Sequence, residues 1–130
     1  MTKRLITFKP DDSLDDVIHL LIAHKISGGP VVNDKNELIG IISETDCIKH
    51  ISESKYYNMP SDSGNNVAKK MITSIDIIDK DMNIFDAATK FINSKRRRFP
   101  VVENGKLIGQ ISQKDVLKAA LNFRGNTWRK

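Results

Sequence analysis

The chain contains an internal repeat, and this repeat constrains its fold more than any other feature of its 130 residues. The triplet Pro-Val-Val at residues 30–32 returns at 100–102, an offset of 70. The stretch 38–46 returns at 107–115, an offset of 69, so one residue is lost in the intervening turn. A unit of about 55 residues buries too little surface to be stable alone. The sequence therefore predicts two small units that pack on each other.

Both copies predict the same order of elements. A capping side chain, Ser13 or Asn83, precedes an amphipathic helix in each copy. Two short strands follow around a turn, which contains the strong hairpin signal Asn104-Gly105 in the second copy. A second helix then begins after Ser43 or Ser112. The helical stripes predicted to be buried are Leu14, Val17, Ile18, Leu21 and Ile22, and Ile84, Ala87, Ala88, Phe91 and Ile92.

Short β-type runs at residues 5–8 and 75–78 precede the first helix of each copy, which gives the order β-α-β-β-α. The second helices carry Cys47, Ile48 and Ile51, or Val116, Leu117, Ala120 and Leu121, as their apolar positions. Between the copies, residues 54–66 are polar, and residues 67–71 predict one further helical turn.

Composition and charge exclude several classes of protein. Hydrophobic residues make up 39% and charged residues 28%, as in an ordinary globular chain. The longest apolar runs have only strand length, so no membrane span is predicted. The first residues lack the apolar segment of a signal peptide. Cys47 is the single cysteine, which excludes an internal disulfide and makes a reducing cytoplasm the expected location.

The net charge of +5 is unevenly divided. Residues 1–64 carry 7 basic and 10 acidic side chains, whereas residues 65–130 carry 14 and 6. An anionic partner is therefore expected to meet the second half of the chain.

The repeated signature resembles the cystathionine-β-synthase (CBS) domain, present here as a tandem pair called a Bateman module. The signature is an amphipathic helix, Pro-Val-Val, a hairpin and Leu-Ile-Gly-x-Ile-Ser-x-x-Asp, and it extends over about residues 1–122. The resemblance implies an α/β (α+β) fold in which two β-α-β-β-α units pack through their sheets with pseudo-twofold symmetry. The expected ranges are 1–53 for the first unit, 54–66 for a linker, 67–123 for the second unit and 124–130 for a basic tail.

The resemblance also implies a regulatory module rather than an enzyme. Such pairs bind adenosine-containing ligands (AMP, ADP, ATP or S-adenosylmethionine) in clefts between the units. They form homodimers and pass the ligand state to an effector protein or domain, and no cofactor beyond the regulatory ligand is expected. The lead-in 67–70 has no counterpart before the first unit, so the chain either starts abruptly or was cut from a longer protein.

The two Ser-x-x-Asp sequences, Ser43 to Asp46 and Ser112 to Asp115, have two compatible interpretations. One is a capping box, in which the serine accepts a hydrogen bond from a helix-start N–H and the acid reaches back. The other is a nucleotide site, in which the aspartate accepts from ribose hydroxyls and the helix N-terminus faces phosphate. The resemblance favours the second interpretation. Thr45 and Lys114 lie inside these loops as further ligand candidates or as exposed residues without a role.

The basic run at residues 95–98 is predicted to end the first helix of the second unit. One or two basic residues balance a helix dipole, and four exceed that need. By the resemblance, Arg97 and Arg98 face the phosphates of a nucleotide, which a planar guanidinium binds well. The first unit has Ser27 and Gly28 at these positions, so its cleft is expected to provide less positive charge or to admit a bulkier group.

An adenine ring needs an apolar slot with a few polar partners. By family position, the candidates for this slot are Thr2, Ile6, Ile42, Thr73, Ile77 and Ile111. For any one of these residues, the alternative is ordinary strand packing.

Other functions remain open at this point. A scaffold with empty clefts would act through dimerisation, and nucleic-acid binding would use residues 95–98 and the tail. No nucleophile or general base can be identified for a hydrolytic or transfer enzyme. His19, His24 and His50 are widely spaced, so no metal site is predicted. Cys47 is interpreted as a packing residue.

Overall fold

The computed structural model describes residues 1–53 and 65–123. Within these ranges the chain forms a mixed α+β fold with five helices and two small sheets, which confirms the predicted fold class. No helix in the described ranges is long and apolar enough to cross a membrane. The tail at 124–130 and most of the linker, residues 54–64, lie outside the described residues. The elements are α1 (Leu14–His24), β1 (Gly28–Val32), β2 (Leu38–Ser43), α2 (Glu44–Glu53), α3 (Val67–Lys70), β3 (Ile78–Asp79), α4 (Ile84–Ser94), β4 (Arg98–Glu103), β5 (Lys106–Ser112) and α5 (Gln113–Phe123).

The chain divides into two compact units whose edges differ from those of the sequence repeats. The unit that we call central consists of Ile6–Ile75, and the unit that we call flanking combines Met1–Leu5 with Asp76–Lys130. The first five residues therefore belong to the unit that contains the second repeat. The residues that lead into the second repeat, up to Ile75, belong in turn to the unit that contains the first.

We call the segments that lead into the two repeats, which end at Leu5 and at Ile75, the lead-ins. Backbone hydrogen bonds account for their exchange between the units. In the flanking unit, Thr2 and Gln110 each donate a backbone N–H to the other's carbonyl at 2.9 Å. In the central unit, Ile41 and Ile72 make the equivalent pair at 2.9 and 2.8 Å. Each lead-in is thus an added edge of the hairpin in its unit, and it is paired at β5 or β2.

The glycine of each Leu-Ile-Gly triplet permits this close approach. A Cβ atom on Gly109 would lie 2.8 Å from the carbonyl oxygen of Thr2, and one on Gly40 would lie 3.1 Å from that of Ile72. Any side chain at these two positions would push the lead-in away from the hairpin. The repeated glycine is therefore a packing requirement of the exchanged segment.

Each unit has its own hydrophobic core beneath its hairpin. The helical stripes supply Leu14, Val17 and Leu21 to the central core and Ala87 and Phe91 to the flanking core, as the periodicity predicts. The other buried core residues are Phe8, Val31, Ile42, Cys47 and Val67 in the central unit and Ile78, Phe99, Val101 and Val116 in the flanking unit. The interpretation of Cys47 as a packing residue is confirmed.

The predicted helix starts and hairpin turns are also confirmed. The Ser13 hydroxyl accepts from the Asp16 backbone N–H at 3.1 Å, and the Asn83 side chain plays the same part in α4. The β4–β5 turn places Asn104 at φ 52° and Gly105 at φ 81°, as a type I′ turn requires. The β1–β2 turn is one residue longer and is closed by the Asn33 side chain, which accepts two backbone N–H bonds at 2.9 Å.

The β-type runs at 5–8 and 75–78 are shorter as strands than predicted. Phe8 makes an isolated parallel bridge with Val31, and β3 begins only at Ile78, opposite Val101. A β-rich composition favours extended backbone, but a strand also needs a hydrogen-bonded neighbour. In both runs that neighbour, β1 or β4, reaches only the last residue.

The prediction that Ile22 and Ile92 are buried is wrong. Their side chains are 73% and 77% exposed, although Leu21 and Phe91 beside them are buried. Each lies in the last turn of its helix, about 100° around the axis from the buried neighbour that precedes it. The apolar positions Ile48, Ile51, Leu117 and Leu121 on the second helices are likewise exposed.

Candidate functional site

The corner where β2 becomes α2 is closed by a capping box. The backbone N–H and the hydroxyl of Ser43 both donate to one carboxylate oxygen, Asp46 Oδ2, at 2.8 and 2.9 Å. In return, the Asp46 N–H approaches the Ser43 Oγ at 3.4 Å. Asp46 is buried, so these bonds fix the carboxylate at the start of the helix.

The corner where β5 becomes α5 repeats this geometry. Ser112 donates its N–H and hydroxyl to Asp115 Oδ2 at 2.8 and 3.1 Å, and the Asp115 N–H donates back at 3.3 Å. The bond from the Ser112 backbone N–H holds the pKa of the Asp115 carboxyl below its usual value. Desolvation opposes this shift, while the Ser112 hydroxyl and the Met1 amino group, 3.4 Å from Asp115 Oδ1, add to it.

The hairpin register places the residue opposite each serine. Arg98 lies across the ladder from Ser112, and Gly28 lies across from Ser43. A Cβ atom on Gly28 would lie 2.7 Å from the Ile42 carbonyl oxygen, so that position has no room for a side chain. The two corners therefore share one backbone plan but differ in charge, because only the flanking one has a guanidinium opposite its serine.

The basic run lies in a different place from the predicted one. Helix α4 ends at Ser94 and Lys95 caps it in the left-handed conformation, so the run does not end the helix. Arg96 donates from Nε to Asp76 Oδ2 at 3.1 Å. Arg97 and Arg98 are exposed, and Arg98 is the first residue of β4. The run is thus a connection whose last two arginines lead towards the Ser112 corner.

The candidate residues divide between the units. The central unit contains Ile6, Gly28, Ile42, Ser43, Thr45, Asp46 and Thr73, and the flanking unit contains Thr2, Ile77, Arg97, Arg98, Ile111, Ser112, Lys114 and Asp115. Because the lead-ins are exchanged, Thr2 lies in the unit of the second repeat and Thr73 lies in the unit of the first. Thr2 pairs two residues before Ser112, and Thr73 follows Ile72, which pairs two residues before Ser43.

The apolar candidates differ in exposure. Ile42 is fully buried in the central core, so its side chain is part of the packing. Ile6 packs partly against the same core, and Ile111 packs partly against the flanking core. The carbonyl of Ile77 accepts a hydrogen bond from the Lys90 ammonium group. Thr45 and Lys114 are exposed first-turn residues.

Two features of the flanking unit were missed by the sequence analysis. The first feature is Asp76, which accepts a hydrogen bond from Arg96. The sequence signal for this pair was the position of Asp76 just before β3, because β3 pairs with β4 and so brings the acid close to the basic run before β4. An open groove lined by polar residues lies next to α4. The residues that line it are Asp76, Asp86, Thr89, Lys90, Asn93 and Ser94. Three of them, Asp76, Lys90 and Asn93, have an apolar residue at the equivalent position of the first repeat.

Together, two β-α-β-β-α repeats with matching capped corners define the class of protein as a tandem pair of small α+β units. The family model described as the CBS domain matches residues 1–53 and 66–122. The chain belongs to the CBS domain family, and the resemblance inferred from the repeated motif is confirmed.

Relatives support this assignment over nearly the whole chain. The chloroplastic CBS domain-containing protein CBSX2 of Arabidopsis thaliana is 32% identical over 152 residues, which cover 98% of this chain and 64% of CBSX2. The uncharacterised protein MJ1426 of Methanocaldococcus jannaschii is 32% identical, covering 93% of this chain and 88% of its own length. The crystal structure of CBSX2 in complex with AMP matches with a TM-score of 0.77 and 34% identity, covering 95% of this chain and 94% of that one.

Proposed function

We propose that this chain is a non-enzymatic regulatory module that senses adenosine-containing ligands. The observation that carries the proposal is the register of the flanking hairpin, which places Arg98 opposite Ser112 at the start of α5. A cation, a hydroxyl and a helix N-terminus at one corner form a site for a phosphate group. The AMP bound to the related CBSX2 structure supports an adenine nucleotide as the ligand.

In this proposal, the aspartates of the two corners accept the ribose hydroxyls. The capping box engages Oδ2 of Asp46 and of Asp115, and each ionised carboxylate has about four acceptor positions. The capping bonds hold each carboxylate in one orientation before the ligand arrives. The capping and ligand-binding interpretations are therefore parts of one arrangement.

The charge difference between the corners assigns them different ligands. Arg97 and Arg98 suit the di- or triphosphate of ADP or ATP, because each guanidinium keeps its charge and binds phosphate in a bidentate manner. The central corner has Ser27 and the space-limited Gly28 instead. It therefore suits a less charged ligand such as AMP or S-adenosylmethionine.

Relay to an effector completes the proposal. A ligand that binds one arrangement of the module better than another shifts the population towards it, and a partner protein or a pairing of two copies would read that shift. The cytoplasmic location expected from Cys47 and the identity of the effector stay predictions.

Calorimetry with ATP and AMP tests the phosphate assignment. The double variant Arg97→Ala/Arg98→Ala is expected to weaken ATP binding by at least tenfold, since charge-assisted bonds are worth about 1.5–3 kcal/mol each. AMP, with one phosphate, should lose less. The matched control is Arg96→Ala, because Arg96 is engaged with Asp76 and its loss should leave ATP affinity within about twofold of wild type. Unchanged ATP affinity in the double variant would contradict the assignment.

A scaffold with unliganded corners is the second candidate, and the exposed apolar residues on the helices favour it. A thermal-shift panel of AMP, ADP, ATP and S-adenosylmethionine separates the two functions. A ligand at a hundredfold excess over its Kd adds about 2.7 kcal/mol to the free energy of unfolding. No shift with any of the four at millimolar concentration would favour the scaffold. Nucleic-acid binding has less support, since one arginine of the basic run already has an acidic partner.

A further inference from the structure

Beside α4, polar residues of the flanking unit stand where the central unit has apolar packing. The offset of 70 between the repeats gives three such pairs of positions. They are Ile6 and Asp76, Leu20 and Lys90, and Ile26 and Arg96. The apolar member of each pair packs partly against the central core. In the flanking unit, by contrast, Asp76 and Arg96 are exposed.

Stability does not account for this replacement. Arg96 Nε donates to Asp76 Oδ2 at 3.1 Å, and both side chains are nearly half exposed. An ion pair with this much solvent around it contributes little to the free energy of folding, whereas the apolar contacts at the equivalent positions remove surface from water. The groove that Asp76 and Lys90 line indicates that the reason is binding.

The groove extends along α4 and has a carboxylate towards each end. Its volume is about 490 Å³, and it is open to solvent. Asp86 lies in the first turn of the helix. Asp76 lies towards the other end, because its partner Arg96 comes just after Ser94, the last residue of α4. The helix rises about 12 Å from Asp86 to Ser94, so a ligand that contacts both carboxylates is elongated.

The hydroxyl groups between the carboxylates are hydrogen-bond acceptors. Thr89 Oγ1 donates to the Phe85 carbonyl at 3.1 Å, and Ser94 Oγ donates to the Lys90 carbonyl at 2.7 Å. Each hydroxyl has therefore used its proton and presents only lone pairs to the groove. Asn93 adds an amide, whose oxygen accepts as well. These groups suit a ligand that is rich in donors.

Lys90 brings positive charge to the lining, but its ammonium group is already engaged. Nζ donates to the Ile77 carbonyl and lies 5.7 Å from the centroid of the Phe99 ring. Its methylene stem and the Thr89 methyl group add apolar atoms to the lining between the carboxylates. The groove thus combines anionic ends with a middle that can pack against a hydrocarbon chain.

We propose that this groove binds a linear polyamine, with one ammonium group at Asp86, another at Asp76 and the methylene chain between them. Arg96 shows what Asp76 attracts, since a guanidinium group of the same chain already occupies one of its oxygens. A carboxylate has about four acceptor positions, so Asp76 can hold an ammonium group as well. The net charge of +5 disfavours loose attachment of a polycation elsewhere.

This site goes beyond the proposed nucleotide function, since neither carboxylate is assigned to the nucleotide, and its test contains no nucleotide. The isotopically labelled full chain is titrated with spermidine, a linear triamine, and followed by NMR. Amide signals of residues 86–94 are expected to shift and to saturate with a Kd of about 10⁻³ M or tighter. The equivalent residues 16–24 of α1 should not respond. Equal shifts in both helices, or shifts that do not saturate, overturn the proposal.

Two further probes test the length and the chemistry of the ligand. Putrescine and 1,8-diaminooctane have the same charge and differ in length, so the longer diamine is expected to bind more tightly by about threefold or more, the contribution of one further surface ion pair. Equal affinity of the two diamines contradicts contact with both carboxylates. Magnesium chloride that reproduces the spermidine shifts means general attraction of cations to carboxylates and also overturns the proposal.

Variants identify the two ends of the site. Asp86→Asn and Asp76→Asn should each weaken spermidine binding by about threefold or more, because each removes one ion pair. Both residues are exposed, so these substitutions leave the core intact. Asp16→Asn is the matched control, because Asp16 has the equivalent place in the first turn of α1, and it should leave the affinity unchanged.

Arg96→Ala gives a result that a purely structural cluster would not. It removes the cation that competes for Asp76, so spermidine should bind this variant more tightly than wild type, by about threefold. Unchanged or weaker binding to Arg96→Ala, or a loss in the Asp16→Asn control equal to that in Asp86→Asn, overturns the proposal.

Discussion

At the scale of single residues, Asp115 has a structural part that does not require a ligand. Its carboxylate accepts two bonds from Ser112 at the start of α5, and its pKa is lowered chiefly by the backbone one. A carboxyl whose pKa is lower in the folded than in the unfolded chain contributes stability above the unfolded pKa. That contribution disappears as the pH falls through the folded pKa.

Asp115→Asn is therefore expected to destabilise the chain in a pH-dependent way. At pH 7 we expect a loss of about 1 kcal/mol in the free energy of unfolding, the usual value of a helix cap. As the pH falls below the unfolded pKa of about 3.9 and then through the lower folded pKa, the wild-type carboxyl becomes protonated too, and the difference should shrink. Urea denaturation at pH 7 and at a series of acidic pH values measures this change.

The matched control for this experiment is Asp86→Asn. Asp86 lies in the first turn of α4, where its backbone N–H donates to the Asn83 side chain. This variant should lose only the smaller helix-dipole contribution, about 0.3–1 kcal/mol. An equal and pH-independent loss in both variants would show that the Ser112 bonds do not stabilise the carboxylate.

At the scale of elements, each unit fills the space between β1 or β4 and the segment before its first helix with one phenylalanine, but the phenylalanine comes from a different element in each unit. In the central unit the segment before α1 contributes Phe8 and β1 contributes Gly29, whereas the flanking unit has Ile78 and Phe99 at the equivalent positions. Both phenylalanines are fully buried. A Cβ atom on Gly29 would lie 2.9 Å from the Phe8 ring and 2.9 Å from the Ile6 carbonyl oxygen, so a large residue fits on one element only.

A double-mutant cycle on Phe8→Ile and Gly29→Phe tests this exchange. Each single variant should be destabilised, the first by a cavity and the second by overpacking against the Phe8 ring. The double variant copies the solution of the flanking unit. Its free energy of unfolding should exceed the value predicted by adding the two single losses by about 1–3 kcal/mol. It should still be less stable than wild type, because the new side chain remains too close to the Ile6 carbonyl oxygen. Additive losses in thermal or urea unfolding would mean that the two positions do not share one space.

At the scale of the whole molecule, the lead-in of each repeat stabilises the unit that contains the other repeat. Thr2 pairs with Gln110, and Ile72 pairs with Ile41. Each unit therefore takes an edge of its hairpin from the lead-in of the other repeat, in addition to being small for a unit that folds alone. A change near the start of one repeat should be measurable in the hairpin of the other.

Proline substitution, which removes a backbone donor, tests this dependence with two reciprocal variants. Thr2→Pro removes the N–H that donates to Gln110, so the Gln110 amide should exchange with solvent roughly fivefold faster, as expected for the loss of about 1 kcal/mol. The Ile41 amide should not change. Ile72→Pro should give the reverse pattern, and faster exchange within the mutated repeat alone would contradict the exchange of lead-ins.

Much of this architecture follows from patterns in the sequence, because it depends on local interactions. Helical periodicity, the capping residues Ser13 and Asn83, and Asn104-Gly105 determine where helices and turns form, whatever the rest of the chain does. The Ser-x-x-Asp spacing fixes a capping box for the same reason, since its bonds join residues three apart. The repeat, read with these elements, was sufficient to identify the CBS domain family.

The tertiary structure alone decided what depends on pairing between distant residues. Which hairpin receives Thr2 or Ile72 is a question of long-range hydrogen bonding, and no local pattern contains the answer. The same holds for Arg98, whose place opposite Ser112 follows from strand register rather than from the helix that its charge pattern suggested. Exposure of Ile22 and Ile92 was decided likewise, because helical periodicity gives the direction of a side chain but not the extent of the surface that covers it.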